Sequence, residues 1–338
     1  FKEWNTLYDI STYTESGNDL NNFERIFEGK ESATFPYDLD ALRHENGNYK
    51  IIAESPYGNS LTTDFAISAL EAEALGQDDI TDVLTISYSS TDKVGHDFGV
   101  NAVETEDTYL RLDLDLERLF NALDEKVGKG EYTVFLTSDH GAVEVPAYLE
   151  SMHIPAGYIN NGNTNKKFKT FMLETFGVDD LIANVSNNQV FLNYERLAEL
   201  NLELEDVQEA IIEELISYDS VYKVYKAKTM NSTAFTTGIE MLLQLGYNQK
   251  RSGDILIVGD PGFISYSKTG STHGSGFNYG THVPLIFYGF GINKGETLER
   301  TEITDVAPTI SSLLKEGIPN PFSKTFMHSI IKLSSIFL

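Results

Sequence analysis

A strand–helix–strand pattern in the first half of the chain constrains the fold most strongly. The apolar, β-branched run Val83–Tyr88 predicts a short buried strand. A capping box at Asn101–Glu104 begins a helix that is predicted to reach about Lys126. The apolar run Tyr132–Ser138 then predicts a second strand, buried on both faces. This order indicates a βαβ unit of a parallel sheet, with polar residues at the carboxyl ends of its strands.

The remaining sequence is less regular. The first 60 residues are polar, aromatic-rich and weakly periodic, so we expect irregular surface structure there with at most one short helix. Thr62 or Thr63 is expected to cap a helix over Asp64–Leu75. From approximately residue 185 to residue 250 the βαβ order breaks, which indicates an inserted α+β segment. Further strands are predicted over Gln189–Asn193, Ser220–Lys226, Gly253–Gly259 and Thr281–Tyr288, and further helices over Glu205–Ser217 and Thr304–Leu314.

The net charge and the absence of cysteine exclude several classes of function. The 338 residues carry a formal net charge of −26, which argues against nucleic acid and anionic membrane surfaces as partners. Because the chain has no cysteine, thiol catalysis, disulfides and thiolate metal sites are excluded. No apolar run reaches the roughly 18 residues that a membrane-spanning helix needs. Because no cysteine is present, any metal must be bound by His, Asp or Glu.

Five side chains beyond predicted strand ends are candidate metal ligands. Asp92 and His96 stand four residues apart, so one helical turn places both on one side. Asp139 and His140 follow the second strand, and both can face one metal only if the chain has begun to turn there. His273 lies in a glycine-rich loop. Each has an ordinary alternative, namely a helix cap, an exposed loop or a flexible surface loop. In a chain with only seven histidines, their joint placement favours a metal site.

Several motifs, in this order along the chain, resemble those of one enzyme family. The sequence is similar to the phosphate-irrepressible alkaline phosphatases of the alkaline phosphatase superfamily, which are close relatives of the type I phosphodiesterases and nucleotide pyrophosphatases. The similarity extends from about residue 35 to residue 319. The motifs are Ser89-Ser-Thr-Asp-Lys-Val-Gly-His96, Thr137-Ser-Asp-His-Gly141, Lys250-Arg-Ser-Gly-Asp254, Thr272-His-Gly274 and Thr281-His-Val-Pro-Leu-Ile-Phe-Tyr-Gly289.

The resemblance implies a fold and a location. The expected fold is α/β and alkaline-phosphatase-like, a doubly wound, mostly parallel sheet with helices on both faces. Residues 1–338 would be the C-terminal portion of a single catalytic domain, with approximately 185–250 as a cap-like insertion. The family also implies a periplasmic or secreted location.

The resemblance also implies two zinc ions. One ion would be bound by Asp92, His96 and a late histidine, for which His273 is the first choice and His282 the alternate or second-shell residue. The other ion would be bound by Asp139 and His140, together with an Asp and a Thr nucleophile from the first part of the family's chain. Because no residue here matches that Thr, no catalytic nucleophile is assigned, and the chain alone is expected to be inactive.

The implied reaction is zinc-dependent hydrolysis of small-molecule phosphate monoesters through a phospho-threonine intermediate. Two alternatives stay open. A phosphodiesterase or nucleotide pyrophosphatase would use the same two metals on a different ester. An inactive zinc-binding protein would keep a metal site without turnover. Comparing a monoester with a diester substrate separates the enzymes, and metal analysis combined with an activity assay identifies the inactive case.

Overall fold

The computed structural model describes residues 3 to 314 of the chain, which divide into two units. Of the described residues, the first unit comprises 3–59, 88–112 and 142–281. The second unit comprises 60–87, 113–141 and 282–314. Two long helices, Tyr57–Ala72 and Val103–Leu123, contribute residues to both units. The five candidate ligands are thus divided, with Asp92, His96 and His273 in the first unit and Asp139 and His140 in the second.

Most elements of the described chain belong to the first unit. Its strands are Glu3–Trp4, Tyr37–Asp38, Gly157–Tyr158, Ile182–Ser186, Gln189–Leu192, Val221–Lys226, Ile255–Gly259 and Phe263–Ile264. Its α-helices are Leu39–Leu42, Ser90–Phe98, Pro146–Ser151, Asn161–Phe176, Tyr194–Leu200, Leu204–Ile216, Thr229–Ser232, Gly238–Gly246 and Asn278–Thr281. Short 3₁₀ turns occupy Ile10–Thr12 and Asn48–Ile52.

The first 60 residues are largely irregular, as expected, but they contribute a buried aromatic core, and the expectation that they lie on the surface is wrong. Trp4, Phe27 and Tyr37 are almost completely buried. Their rings pack edge-on or tilted against one another and against Phe98, with centroids 5.2 to 6.0 Å apart. The indole Nε1 of Trp4 donates to Asp107 at 2.8 Å. Apolar periodicity did not predict this core because these side chains project from loops and two-residue strands. In such segments the buried residues follow no regular spacing.

A four-stranded antiparallel sheet forms the other half of the first unit. Its strands lie in the order Ile182–Ser186, Gln189–Leu192, Ile255–Gly259 and Val221–Lys226. The helix Leu204–Ile216 contributes Val207, Ile211 and Leu215 to the same core as this sheet. The predictions of the last three strands and of this helix are confirmed to within three residues at each end. The assignment of residues 185–250 to an insertion stays a prediction.

The predicted parallel βαβ arrangement over residues 83–138 is wrong. Residues Val83–Tyr88 form no strand, and Val83 and Leu84 are exposed. The strand Thr133–Thr137 does form, but it is only partly buried and pairs antiparallel with Leu285–Gly289. A strand is defined by hydrogen bonds to a partner, and an apolar run specifies neither that partner nor its direction. Among residues 3–314 the one parallel pairing joins Gly157–Tyr158 to Phe263–Ile264, so the expected mostly parallel, doubly wound sheet is not seen there.

Helix ends in the second unit differ modestly from expectation. The helix predicted from Asp64 begins at Tyr57, so Thr62 and Thr63 lie inside it and do not cap it. The helix from Val103 ends at Leu123 and continues as a π-helical turn, Asp124–Gly128. Near the end of the described chain, the 3₁₀ turn Ile303–Asp305 leads into the helix Val306–Leu313. No helix of residues 3–314 combines the length and apolar character needed to cross a membrane.

Candidate metal centre

The helix Ser90–Phe98 presents two of the candidate ligands, and we call it the ligand helix. Val94 and Phe98, four residues apart, are buried in the aromatic core of the first unit. Asp92 and His96 share the same four-residue spacing but are only partly buried. Helical spacing places each pair on one face. The apolar pair therefore anchors the helix while the polar pair remains accessible.

A buried asparagine holds the start of the ligand helix. The Asn59 side-chain oxygen accepts a hydrogen bond from the backbone N–H of Ser90 at 3.2 Å. Its amide nitrogen donates to the Thr91 hydroxyl at 3.0 Å. Asn59 is almost completely buried, so these hydrogen bonds satisfy polar atoms that water cannot reach. Thr91, the residue before Asp92, is thereby hydrogen-bonded to a buried side chain.

Asp92, His96 and His273 converge at one point. The Oδ1 atom of Asp92 lies 3.4 Å from Nε2 of His96 and 3.5 Å from Nε2 of His273. One ligand atom from each side chain lies within 4.8 Å of the others. Among residues 3–314, this is the one group of three or more His, Asp or Glu side chains that converges so closely. The side chains of Asp92 and His273 are each 32% exposed, so a small molecule can approach them.

A backbone carbonyl orients the His96 imidazole. The Nδ1 atom lies 2.8 Å from the carbonyl oxygen of Ser271. Because a carbonyl oxygen can only accept, Nδ1 must carry the proton in this hydrogen bond. The neutral ring then has its lone pair on Nε2, the atom that faces Asp92. Metal-binding histidines commonly have such an outer hydrogen bond, which fixes the tautomer and the ring orientation.

The loop that carries His273 is fixed by backbone hydrogen bonds. The N–H of Gly270 donates to the Phe23 carbonyl at 2.7 Å, and the N–H of Ser271 donates to the His96 carbonyl at 3.0 Å. The hydroxyl of buried Ser271 donates to the Val143 carbonyl, and the Val143 N–H donates back to Thr272 at 3.3 Å. A flexible surface loop was one alternative for this segment in the sequence analysis. In the structure, hydrogen bonds hold the loop against the ligand helix.

Gly270 provides a test of this contact. Its φ is +74°, and an added Cβ would lie 2.1 Å from the His96 carbonyl oxygen. We expect Gly270→Ala to lower zinc affinity by about tenfold or more, because the displaced loop moves His273 and the acceptor for His96. Competition titration with a zinc-binding dye measures this effect.

Gly291→Ala is the matched control for Gly270→Ala. Gly291 has a nearly identical φ of +73°, but no atom lies within 4 Å of its Cβ position. This variant therefore includes the conformational cost of a left-handed residue, about 1–2 kcal/mol, without the clash. Equal zinc affinities for the two variants would show that the contact with His96 does not support the site.

Charged and aromatic groups that no sequence pattern predicted lie beside His96. Buried Asp97 forms an ion pair with Arg25 at 2.8 Å, and Arg25 also lies 3.5 Å from Glu54. Burial raises the pKa of Asp97, and the guanidinium of Arg25 opposes that shift. Tyr266 stacks on the His96 ring with centroids 5.6 Å apart. Arg25 and Tyr266 are remote from His96 in sequence, so only the folded chain reveals these contacts.

Asp139 and His140 also approach each other, within the second unit. Oδ2 of Asp139 lies 3.5 Å from Nε2 of His140, while Nδ1 of His140 lies 3.1 Å from the Gly141 carbonyl oxygen. The chain has therefore left the strand before these residues, as a shared metal requires. The Asp139 side chain is 86% exposed. His282, the alternate late ligand, is exposed and is not part of the group around Asp92.

Sequence comparison identifies the family. Residues 11–283 match the type I phosphodiesterase / nucleotide pyrophosphatase family. The chain belongs to that family. Over 318 residues it is 42% identical to alkaline phosphatase PafA of Elizabethkingia meningoseptica, covering 94% of this chain and 58% of PafA. It is 38% identical over 322 residues to alkaline phosphatase PhoV of Synechococcus elongatus, covering 93% of this chain and 56% of PhoV.

Structural comparison agrees with the family assignment. The crystal structure of wild-type alkaline phosphatase PafA matches with a TM-score of 0.86 and 42% identity, covering 94% of this chain and 60% of that one. The resemblance to PafA-like alkaline phosphatases is thus confirmed, and the fold is alkaline-phosphatase-like α/β. Members of this family are metal-dependent phosphoesterases. The chain spans less than two thirds of the length of these relatives.

Proposed function

We propose that the chain carries zinc ligands of a phosphate monoester hydrolase. The observation that supports this proposal most directly is the convergence of Asp92, His96 and His273. Two imidazole nitrogens and one carboxylate oxygen are a donor set that zinc accepts, and three protein ligands leave a position open for substrate or water. The chemistry and placement of these side chains therefore fit a catalytic zinc ion.

The roles of the three ligands follow from their surroundings. The Asp92 carboxylate supplies negative charge between the two imidazole rings, and the hydrogen bond from Nδ1 to the Ser271 carbonyl orients Nε2 of His96 toward it. When bound, zinc supplies Lewis-acid stabilisation of charge on a phosphoryl or ester oxygen. Tyr266 lies beside this position and gives it a partly apolar wall. The partial exposure of Asp92 and His273 leaves room for a phosphate ester.

We further propose that Asp139 and His140 bind a second zinc ion in the complete gene product. Their convergence supports this role, but two protein ligands rarely hold zinc with useful affinity. The remaining ligand and the Thr nucleophile that forms the phospho-threonine are assigned to no residue of this chain. We also propose a periplasmic or secreted location. In the complete gene product, we propose a cap-like segment at 185–250 and a complete doubly wound sheet.

The family also supports diester hydrolysis as a second candidate function. The matched family is described as phosphodiesterase and nucleotide pyrophosphatase. The two relatives at 42% and 38% identity are both named alkaline phosphatases, which favours monoesters. The same metal ligands suit either reaction, since both stabilise charge on a phosphoryl group.

Paired substrates test the proposed function. The complete gene product, loaded with zinc, is expected to hydrolyse p-nitrophenyl phosphate with a higher kcat/KM than bis(p-nitrophenyl) phosphate. Chelation should remove both activities, and zinc should restore them. A reversed preference would assign the protein to the diesterases. Absence of both activities in the zinc-loaded protein would contradict the enzymatic proposal.

A further inference from the structure

A short irregular stretch of chain contacts both the ligand helix and the loop of the late histidine. It comprises residues 23–25, and we call it the bridging segment. The backbone N–H of Arg25 donates to the carbonyl of Asp97, near the end of the ligand helix, at 2.8 Å. The carbonyl of Phe23 accepts from the N–H of Gly270, in the loop of the late histidine, at 2.7 Å. The bridging segment therefore joins the two elements that carry the histidine ligands.

The Arg25 side chain adds a charged contact at the same place. Its Nη1 atom lies 2.8 Å from Oδ1 of Asp97 and 3.5 Å from Oε2 of Glu54. Both acidic residues are buried, with exposures of 7% and 5%. Among residues 3–314, Arg25 donates the one hydrogen bond that the Asp97 carboxylate receives. Because a buried carboxylate needs a compensating charge, the guanidinium is the group that allows Asp97 to stay buried beside the metal site.

Loss of the guanidinium would leave Asp97 as the uncompensated charge. The Glu54 carboxylate has a second cation, since its Oε1 atom lies 3.3 Å from the ammonium of Lys50. Asp97 has no other ion-pair partner within the described part of the chain. Removing one member of a buried ion pair leaves the other charge without compensation. That charge would stand at the residue that directly follows His96.

We propose that Arg25 is a positioning residue of the metal site and acts through Asp97 on the neighbouring ligand His96. This inference rests on the proposed function, because it takes His96 to bind zinc. An Asp97 carboxylate without its cation would move toward water, and this movement would remove the charged contact that fixes the end of the ligand helix. Since contacts behind a ligand set how precisely it faces the metal, zinc should then bind less tightly and with altered geometry.

Two substitutions at Arg25 separate its charge from its bulk. Arg25→Met keeps most of the length of the side chain without its charge, and we expect it to lower zinc affinity by about tenfold. Arg25→Lys should stay within about threefold of the wild type, because one nitrogen makes both carboxylate contacts and an ammonium can replace it. Competition with a zinc-binding dye measures both affinities, at a temperature where circular dichroism shows each variant to be folded.

Cobalt spectroscopy gives a readout that reduced stability alone does not change. Co²⁺ accepts the nitrogen and oxygen donors that zinc accepts, and its visible absorption depends on coordination geometry. Arg25→Met saturated with Co²⁺ should show a shifted visible spectrum, whereas Arg25→Lys should reproduce the wild-type spectrum. Arg43→Met is the matched control, because it removes a 2.8 Å ion pair with Asp40 elsewhere in the first unit. Its zinc affinity and cobalt spectrum should equal those of the wild type.

A double variant tests whether Arg25 acts through Asp97. In Asp97→Asn protein, Arg25→Met should change zinc affinity by less than about threefold, because the charge that Arg25 compensates is already gone. The same comparison provides the test should Arg25→Met alone fail to fold. A tenfold loss in this background would contradict the proposed route through Asp97.

Three further outcomes would overturn the positioning role. They are a wild-type affinity and cobalt spectrum in Arg25→Met, equal losses in Arg25→Met and Arg43→Met, and a loss in Arg25→Lys as large as that in Arg25→Met. His96→Ala separates this inference from the proposed function. If His96→Ala loses zinc affinity and Arg25→Met does not, the zinc site stands and the role of Arg25 fails. If His96→Ala keeps the wild-type affinity, both fail.

Discussion

Replacing His96 with alanine is expected to lower the zinc affinity of the chain by at least about 100-fold, because one of three ligands is lost. The fold should persist, since the ligand helix is anchored by Val94 and Phe98. Competition with a zinc-binding dye at one equivalent of zinc measures the affinity, and circular dichroism monitors the fold. In the complete gene product, the same substitution should remove most phosphatase activity.

Two histidine controls accompany the His96 variant. His44 is exposed and lies outside the ligand group, so His44→Ala should bind zinc like the wild type. His282→Ala should also be silent, whereas His273→Ala should resemble His96→Ala. A His282→Ala variant that loses affinity while His273→Ala keeps it would assign the late ligand to His282. Unchanged affinity in His96→Ala would refute the proposed zinc site.

Truncating Phe27 to alanine is expected to lower the free energy of unfolding by roughly 3–5 kcal/mol. This side chain is almost completely buried, and its ring packs edge-on against Tyr37 and Phe98. The chain has a single tryptophan, Trp4, which lies in the same core and reports unfolding by its fluorescence. Chemical denaturation followed at this residue measures the loss.

Leu20→Ala is the control for the Phe27 variant. Leu20 belongs to the same N-terminal segment but is 72% exposed, so its truncation should change stability by less than about 0.5 kcal/mol. Similar losses for the two variants would indicate that the N-terminal segment contributes little to the cooperative core.

The features that the sequence predicted correctly depend on short-range spacing. Asp92 and His96 approach each other because they are four residues apart on one helix. The helix Leu204–Ile216 and the strands on either side of it follow from apolar periodicity within a few residues. Such patterns show which face of a helix or strand is apolar, and the apolar face is the one that becomes buried.

The features that the sequence could not predict depend on distant partners. Val83–Tyr88 has a strand's composition but does not form a strand. Arg25 reaches Asp97 across 72 positions, and Trp4 reaches Asp107 across 103. Glu104 was assigned to a capping box, a pattern that says nothing about burial, and it is fully buried. Long-range pairing of this kind leaves no periodic signal, so only the folded chain shows it.

Anomalous diffraction at the zinc edge, from crystals of the chain grown with one equivalent of zinc, tests the central claim most directly. The proposed site predicts one strong peak at about 2.0–2.2 Å from Nε2 of His96, Nε2 of His273 and a carboxylate oxygen of Asp92. A peak at Asp139 and His140 with none at Asp92 would contradict the claim, as would a peak that has His282 in place of His273.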